Sequence, residues 1–263
     1  MRAVGGNRSA PGVFCWPELA TTDAAAAKTF YGGLFGWIHR DAPAGPGRSY
    51  TIFSLAGRDA AALYSLAEAT GERGVPPHWN SYVAVASADE SARVATSLGG
   101  TVLSDPFDVG TNGRTAVVED PQGATLCLWE ARDRAGIGVE DEIGSLCLTE
   151  LATPDVDAAR RFYGGLFAWT FRKSPGASAY TEIAAGKRFI GGIVEIGKEW
   201  GPTPPSWSPY FRVADCDVTV AEAKAGGARA LAGPSDIPNL GRYALLADPQ
   251  GATFAAISFA EFA

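Results

Sequence analysis

Two glutamates stand at equivalent places in a stretch that this 263-residue chain carries twice. CWPELATTDAAAAKTFYGGLFGW contains Glu18, and CLTELATPDVDAARRFYGGLFAW contains Glu150. Each glutamate lies in a short apolar run that predicts a β-strand, where a carboxylate must be solvated, paired or neutralised. In an apolar pocket its pKa would rise, which suits a general acid or base. The alternative is a structural ion pair, for which the matched Arg114 and Arg242 are available.

The repeat extends beyond these two stretches. PPHWNSYVAV at Pro76–Val85 matches PPSWSPYFRV at Pro204–Val213, and DPQGAT at Asp120–Thr125 recurs at Asp248–Thr253. Self-similarity of this kind indicates duplication of a whole structural element. The chain therefore consists of two related halves.

Each half predicts the order β-α-β-β-β twice. The first helix begins at Thr22 or Asp23 as N-cap, and Gly32 and Gly33 are expected near its C-terminal end. The four helices are expected near Asp23, Ala88, Asp155 and Asp215. The strands expected in the first half are Val13–Ala20, Tyr50–Ala56, Ala60–Leu66, Tyr82–Ala86, Thr101–Leu103, Thr115–Glu119 and Thr125–Glu130.

Four such modules, with TxDxxxAxxFYxxLFxW after the first strand and DPxG before the last, resemble a known family. This is the vicinal-oxygen-chelate superfamily, the glyoxalase, bleomycin-resistance and extradiol-dioxygenase group. More closely, the chain is similar to tandem two-domain glyoxalase-like proteins of actinobacteria, which are often labelled hydroxylases. The resemblance implies an α+β fold in which four βαβββ modules form two glyoxalase-like cups. It leaves open whether neighbouring modules pair, or module one with four and two with three.

The resemblance and the repeat together predict the domain organisation. We expect a flexible leader at residues 1–12, a glyoxalase-like domain at 13–131, a linker at 132–145 and a second such domain at 146–263. The linker is charged and contains glycine, which is typical of connecting segments.

In that family the helices cover the convex face of each cup and the ligand lies on the concave face. Because side chains alternate along a strand, position predicts which residues face the cup. In the first half these are Trp16, Glu18, Ala20, Asn80, Tyr82, Thr125, Cys127 and Trp129. In the second half they are Leu148, Glu150, Ser208, Tyr210, Arg212, Ala255 and Ile257.

The family's metal enzymes place His, Gln or Glu on the first strand of a module and Glu or His on the last. The matching residues here are Trp16, Asn80, Cys127, Leu148, Ser208 and Ala255. A catalytic divalent site needs about three N, O or S ligands, and this set does not supply them. We predict no metal and no cofactor, while leaving room for a divalent metal at a non-standard site.

Aromatic residues are the second chemical signal, because they offer flat apolar walls with polar tips to a planar ligand.

Glu18 and Glu150 are the candidate catalytic residues. The candidate ligand contacts are Trp16, Tyr50, Tyr64, His78, Asn80, Tyr82, Cys127, Trp129, Ser208, Tyr210 and Arg212. The first cup keeps more polar and aromatic character, so it is the first place to look for a working site.

Other aromatic residues and the cysteines are predicted to be structural. Phe30, Tyr31, Phe35 and Trp37, with their counterparts in the second half, follow helical spacing and are expected in the core and interface. Trp79 and Trp207 are expected to seal a cup edge. Cys127 is expected to be a small core thiol rather than a nucleophile.

The composition and charge of the chain argue against some classes of binding partner. The chain is 46% hydrophobic with a net charge of -7, and its acidic residues are scattered. It has no clustered basic face for nucleic acid and no apolar run near the ~20 residues of a membrane span. The four cysteines form no CxxC pair, which favours reduced thiols. We expect a cytoplasmic monomer or homodimer that binds a small molecule and neither nucleic acid nor membrane.

Three functions compete at this point. The first is binding of a planar or hydrophobic small molecule without the usual metal, for resistance, sequestration or secondary metabolism. The second is an enzyme of secondary metabolism or detoxification, of lyase, isomerase, hydroxylase or dioxygenase type, with Glu18 or Glu150 as acid or base. The third is a degenerate structural or partner-binding protein. The missing ligands favour the first, and the repeated glutamates keep the second open.

Overall fold

The computed structural model describes residues 9–45, 47–66, 74–174, 177–238 and 240–260. The first half contains β1 (Phe14–Thr21), α1 (Ala24–Phe35), β2 (Ile38–Pro43), β3 (Ser49–Leu55), β4 (Arg58–Ser65), β5 (His78–Ala84), α2 (Ala88–Ser97), β6 (Thr101–Val109), β7 (Gly113–Glu119) and β8 (Thr125–Ala131). The second half contains β9 (Leu146–Thr153), α3 (Val156–Phe167), β10 (Thr170–Ser174), β11 (Ala177–Ala185), β12 (Arg188–Glu195), β13 (Ser206–Arg212), α4 (Cys216–Ala225), β14 (Arg229–Ile237), β15 (Gly241–Ala247) and β16 (Thr253–Phe259), with one 3-10 turn at Lys198–Trp200.

The strands form two eight-stranded sheets of identical topology. Their orders are β2-β3-β4-β1-β5-β8-β7-β6 and β10-β11-β12-β9-β13-β16-β15-β14. Within a module, the first and last strands are parallel and the others antiparallel, as in β1 with β4 and β5 with β8. Modules one and two therefore share one sheet, and modules three and four share the other. The predicted α+β fold of four βαβββ modules in two tandem cups is confirmed.

Two compact units cut across this sequence order. The first compact unit comprises residues 1–16, 81–136 and 149–207, and the second comprises 17–80, 137–148 and 208–263. The first thus combines modules two and three, and the second combines modules one and four. The domain limits predicted at 13–131 and 146–263 stay predictions.

Each of the four α-helices begins directly after a residue whose side chain caps its first turn. Asp23, Ser87, Asp155 and Asp215 each accept a hydrogen bond from the backbone N–H three residues on, at 2.9–3.2 Å. Such a bond satisfies one of the N–H groups that the first turn leaves unpaired. The predicted helix positions are confirmed, and Gly32 and Gly33 lie in the second half of α1. Among the described residues, none of these helices is long and apolar enough to span a membrane.

A buried hydrogen-bond chain in the second compact unit explains why three sequence motifs recur. The Trp79 indole N–H donates to the Tyr31 hydroxyl at 3.1 Å, and this hydroxyl donates to Asp248 Oδ2 at 2.9 Å. Asp248 Oδ1 accepts from the backbone N–H groups of residues 250–252 at 2.8–2.9 Å. Burial raises the pKa of Asp248 and raises that of Tyr31 well above its usual value. The FYGGLF, PPxW and DPQG motifs are thus three parts of one contact.

The first compact unit contains the same chain. The Trp207 indole donates to the Tyr163 hydroxyl at 2.9 Å, and Tyr163 donates to Asp120 Oδ2 at 3.0 Å. Asp120 Oδ1 accepts from the N–H groups of Gln122 and Ala124 at 2.8 and 3.0 Å. In both units the tyrosine and the aspartate come from different halves of the sequence.

The aromatic residues of the repeated helices form the core around these chains. In the second compact unit, Tyr31 and Phe35 pack against Phe254, and Phe35 also packs against Phe211. Their predicted place in the core is confirmed. Trp79 and Trp207 are also buried in the core and bonded to tyrosine, so the prediction that they seal a cup edge is wrong.

Three strand predictions need correction. Strand β2 was not foreseen, because it is mostly exposed and shows no apolar alternation; its pairing with β3 defines it. Strand β5 begins at His78 rather than Tyr82. Strand β6 runs six residues past the predicted end at Leu103, through Asp105 and Pro106, to Val109.

Residues 132–145 contain no helix or strand, but they pack closely. We call this segment the strap. In the first compact unit, its Arg132 and Arg134 N–H groups donate to the Asn112 carbonyl at 3.0 Å. In the second, Val139 is buried and the Gly138 N–H donates to the Asp59 carbonyl at 2.7 Å. The strap is therefore a structural part of the fold.

Candidate functional site

Glu18 lies in the second compact unit, on β1, with only 7% of its surface exposed. The Tyr50 hydroxyl donates a hydrogen bond to Glu18 Oε2 at 2.6 Å. Glu18 is in register with Ala62 of β4, and Tyr50 is in register with Tyr64. Residues in register share a face of the sheet, so a buried carboxylate and two half-buried tyrosines lie on the same face. The catalytic role of Glu18 and the ligand contacts of Tyr50 and Tyr64 stay predictions.

The arginines suggested as partners for the glutamates lie elsewhere. Arg114 forms ion pairs with Asp89 and Asp108, at 2.6 and 2.9 Å. Its guanidinium holds the pKa of both carboxyl groups below the usual range. Arg242 pairs in the same way with Asp217 and Asp236, at 2.6 and 2.8 Å. Both arginines thus bridge a sheet to the start of α2 or α4, and the suggested pairing with Glu18 and Glu150 is wrong.

The second module, in the first compact unit, presents a largely apolar concave face. On β8, the Glu130 carboxylate accepts a hydrogen bond from the backbone N–H of Ala88 at the start of α2. The side chain at position 130 therefore faces the helix. By alternation, Cys127 and Trp129 face the opposite side, as predicted. Tyr82 is in register with Cys127 on the same side, and its ring meets Trp129 edge-on at 6.3 Å. Cys127 and Trp129 are buried, and Tyr82 is half-buried.

This concave face is ordered in two rows across four strands. One row runs through Phe107, Thr115, Trp129 and Ala84, and the other through Ser104, Val117, Cys127 and Tyr82. Phe107 is 48% exposed. Sequence analysis missed Phe107 because it lies beyond the predicted end of β6.

Arg134 is a second residue that sequence analysis missed. Its guanidinium lies over the Trp16 ring at 4.8 Å from the ring centroid, which is within cation–π range. The Trp129 indole N–H donates to the Arg134 carbonyl at 3.2 Å. The strap thus places a cation beside two of the predicted aromatic residues. The only signal in the sequence was a charged segment directly after β8.

The fourth module, in the second compact unit, carries a cluster of buried residues on its concave face, beside a cavity lined by Ile237, Leu240 and Phe259. Leu148, Tyr210, Ala255 and Ile257 are buried together, and Tyr243 packs against them. Tyr243 and Tyr210 stack at 6.5 Å. Tyr243 is in register with Ile257, the place that Thr115 takes opposite Trp129 in the second module. A large ring therefore occupies the space that a threonine leaves in the second module.

The remaining second-half candidates lie close to this face or on the third module. The Arg212 guanidinium donates to the Asp141 carbonyl at 2.8 Å and lies 5.3 Å from the Phe259 ring centroid. Ser208 is half-buried on β13. In the first compact unit, Glu150 is half-buried and in register with Gly192, over which the Tyr180 ring lies.

The other polar candidates are more peripheral. His78 and Asn80 are half-buried on β5, and His78 Nδ1 lies 2.8 Å from the Pro76 carbonyl oxygen. All four cysteines are free thiols. Burial raises the pKa of Cys147 to about 12 and of Cys216 to about 11. A thiol with so high a pKa is a poor nucleophile.

The residues at the family's metal positions do not form a ligand set. Leu148 and Ala255 belong to the apolar cluster of the fourth module. Trp16 lies under a guanidinium, and Cys127 lies on an apolar face. Within the described ranges, no three His, Cys, Asp or Glu side chains are grouped so that they could hold a metal ion. The described residues at these positions are therefore a poor donor set for a hard divalent cation, and the absence of a bound metal stays a prediction.

Comparison with known proteins places this fold. The model of the Glyoxalase/Bleomycin resistance protein/Dioxygenase superfamily matches residues 14–128 and again residues 145–256. The chain belongs to this superfamily. CFP32 of Mycobacterium tuberculosis (strain CDC 1551 / Oshkosh), whose name provisionally calls it a glyoxylase, is 38% identical over 245 residues, covering 92% of this chain and 93% of that protein. The anthracycline biosynthesis protein DnrV of Streptomyces peucetius is 35% identical over 270 residues, covering 97% and 96%.

Solved structures of superfamily members share the architecture at low identity. The 2,3-dioxygenase LapB from Pseudomonas sp. KL28 aligns with a TM-score of 0.65 at 11% identity, covering 96% of this chain and 94% of that chain. A Mn(II)-bound glyoxalase from Novosphingobium aromaticivorans aligns with a TM-score of 0.63 at 16% identity, covering 94% and 82%. At such identities the likeness establishes the fold alone.

Proposed function

We propose that this protein binds a flat, largely apolar small molecule on the concave face of its second module. The observation that carries the proposal is the pair of rows across β6, β7, β8 and β5, which expose aromatic edges over a floor of Thr115, Val117 and Cys127. Flat apolar walls with a few polar tips are typical of small-molecule sites.

Two further observations support this location. The fourth module fills the equivalent space with Tyr243 and the buried Leu148, Ala255 and Ile257, so the two sheets are not equivalent as ligand sites. DnrV, similar along 97% of this chain, is named for anthracycline biosynthesis, and anthracyclines are flat polycyclic aromatic compounds. We therefore take a planar aromatic metabolite as the ligand class.

Binding can be measured with 1,8-dihydroxyanthraquinone as the probe. We expect saturable quenching of tryptophan fluorescence with one site per chain, because the proposed ligand contacts lie on the second module alone. A ligand at 100 times its Kd adds about 2.7 kcal/mol to apparent stability, which corresponds to a rise in Tm of roughly 5–10 °C for a chain of this size. Absence of saturable binding would contradict the proposal, and two equal sites per chain would contradict its restriction to the second module.

A second candidate function is acid–base catalysis by Glu18. The supporting observation is the buried carboxylate that accepts a hydrogen bond from Tyr50 at 2.6 Å. In this reading the ligand binds instead on the first module, in the second compact unit, where Glu18 removes a proton from one of its carbons and the Tyr50 hydroxyl orients the carboxylate. A positioned carboxylate contributes about 10²–10⁴-fold to such a step.

The two functions are separated by Glu18→Gln and a flat ligand with an acidic C–H bond. The ligand is 1,8-dihydroxyanthrone in D₂O under argon, and mass spectrometry measures deuterium uptake at its methylene carbon. If the protein only binds, we expect no acceleration over buffer, and Glu18→Gln should change affinity by less than about threefold, since the amide keeps the hydrogen bond to Tyr50. Acceleration of about 100-fold or more that Glu18→Gln abolishes, with affinity unchanged, would replace the binding reading with the enzymatic one.

A further inference from the structure

Phe107 is the outermost member of a row of concave-face residues in the first compact unit. It is in register with Thr115 of β7, which is in register with Trp129 of β8. Phe107 is 48% exposed, although it stands on the same face as the buried Trp129. The row therefore ends in an aromatic ring that no neighbouring strand covers, because β6 is the edge of its sheet.

From this geometry we infer that Phe107 sets the length of the ligand and selects molecules of about three fused rings over single rings. The inference rests on the proposed function and names the ligand class within it. Neighbouring strands lie about 4.8 Å apart, so Phe107 and Trp129 stand about 10 Å apart across two strand spacings. A single ring placed against Trp129 does not reach Phe107, whereas three fused rings contact both side chains. Thr115 between them is small and buried, with 4% of its surface exposed, so its side chain forms the floor between the two aromatic residues.

The end of β6 is held firmly enough to position this ring. The adjacent Asp108 accepts from Arg114 and from Arg132 of the strap, each at 2.9 Å. Val109, partly exposed on the same side, is in register with Gly113, and the Trp129 indole lies against that glycine. Phe107 is thus held by its backbone neighbours, and the exposed 48% of its surface is available to a ligand.

The alternative occupant of this edge is a second copy of the chain. Strand β6 contains Pro106, which has no N–H to offer a partner strand. Asp105 precedes this proline, and Asp108 follows Phe107. Proline and charge on an edge strand oppose strand-to-strand pairing. In the fourth module the position of Phe107 is taken by Ser235, opposite the bulky Tyr243. The aromatic end of the row is therefore found on the second module and not on the fourth.

The test compares two probes with three variants. Dissociation constants for 1,8-dihydroxyanthraquinone and for catechol are measured on the wild-type chain, Phe107→Ala, Phe107→Leu and the control Phe189→Ala, which removes a similarly exposed ring (44%) on β12. Because Phe107 is half exposed, its removal should leave the fold intact, and this is checked by Tm. We expect Phe107→Ala to weaken anthraquinone binding about tenfold and catechol binding by less than about twofold. Phe107→Leu should give a smaller loss, and Phe189→Ala none.

The outcomes separate this inference from the proposed function. If the wild type binds both probes and Phe107→Ala weakens neither, or weakens both equally, the length selection is wrong while ligand binding stands. If the wild type binds neither probe, both fail. If Phe107→Ala changes the molecular mass in solution but leaves anthraquinone affinity unchanged, the edge serves a second copy and the inference is overturned.

Discussion

Asp248→Ala is expected to lower the free energy of unfolding by about 3–5 kcal/mol, the range seen when one partner of a buried charged contact is removed. The carboxylate satisfies the Tyr31 hydroxyl and three backbone N–H groups of the DPQG turn. Alanine leaves these buried donors without an acceptor, and each such donor costs about 1–3 kcal/mol before relaxation. Because a domain is stable by only about 5–15 kcal/mol, the loss should be plain in urea unfolding.

Asp236→Ala is the matched control for this prediction. Asp236 is also an aspartate of the fourth module, but it is exposed and paired with Arg242. An exposed ion pair contributes about 0–1 kcal/mol, so the control should change little. Equal losses in the two variants would show that the buried chain of tryptophan, tyrosine and aspartate does not stabilise the fold.

The contribution of Asp248 to stability is expected to depend on pH. Burial raises its pKa above the ordinary value of 3.8. Between pH 3.8 and the higher pKa that Asp248 has in the folded protein, the folded state holds more protons than the unfolded state. Stability therefore falls as pH rises through this range. Asp248→Asn removes this titration. The advantage of the wild type over Asp248→Asn should therefore be largest below about pH 3.8 and should shrink as pH rises through the folded-state pKa.

Gly144→Ala is the second substitution with a large expected effect, a loss of about 2–4 kcal/mol. Gly144 has a φ of +84°. A Cβ there would lie 2.8 Å from the Phe35 carbonyl oxygen. Its own carbonyl accepts from the Trp37 indole at 2.7 Å, and its N–H donates to the Arg212 carbonyl at 2.7 Å. The strap cannot move away from Phe35 without breaking these two bonds.

Gly186→Ala is the matched control, which measures the cost of a left-handed backbone conformation without a steric clash. Gly186 has a φ of +61°, and no atom lies within 4 Å of a Cβ built there. It should therefore show only the ~1–2 kcal/mol of a left-handed residue. Urea unfolding of both variants measures the difference. If Gly144→Ala costs no more than Gly186→Ala, the strap is a simple linker and its close packing contributes nothing to stability.

The parts of the fold that follow from local physics were predictable from sequence. Asp23, Asp155 and Asp215 are side-chain caps before apolar helical patterns, and each does begin a helix. The duplication identified the modules, and the family pattern supplied their cups. Strand β2 was missed because its exposed residues form a strand only through hydrogen bonds to β3. The grouping of modules into sheets is likewise a non-local choice that no short segment encodes.

The candidate site was predictable where strand alternation applied. Cys127 and Trp129 face away from α2, as period-two alternation required. Phe107 and Arg134 were missed, because a bulged edge strand and a strap have no regular period from which to read a side-chain direction. The proposed ion pair of Arg114 with Glu18 failed because β7 alternation places Arg114 on the side of α2.

The exchange of tyrosine and aspartate between halves bears on how such a chain could have arisen. Tyr31 is satisfied by Asp248, and Tyr163 by Asp120. A protein made of a single half would carry one hydroxyl and one carboxylate that cannot meet each other in this arrangement. Two copies of that half, each supplying its aspartate to the tyrosine of the other, would satisfy both at once. Joining the two copies in one polypeptide would then keep both contacts.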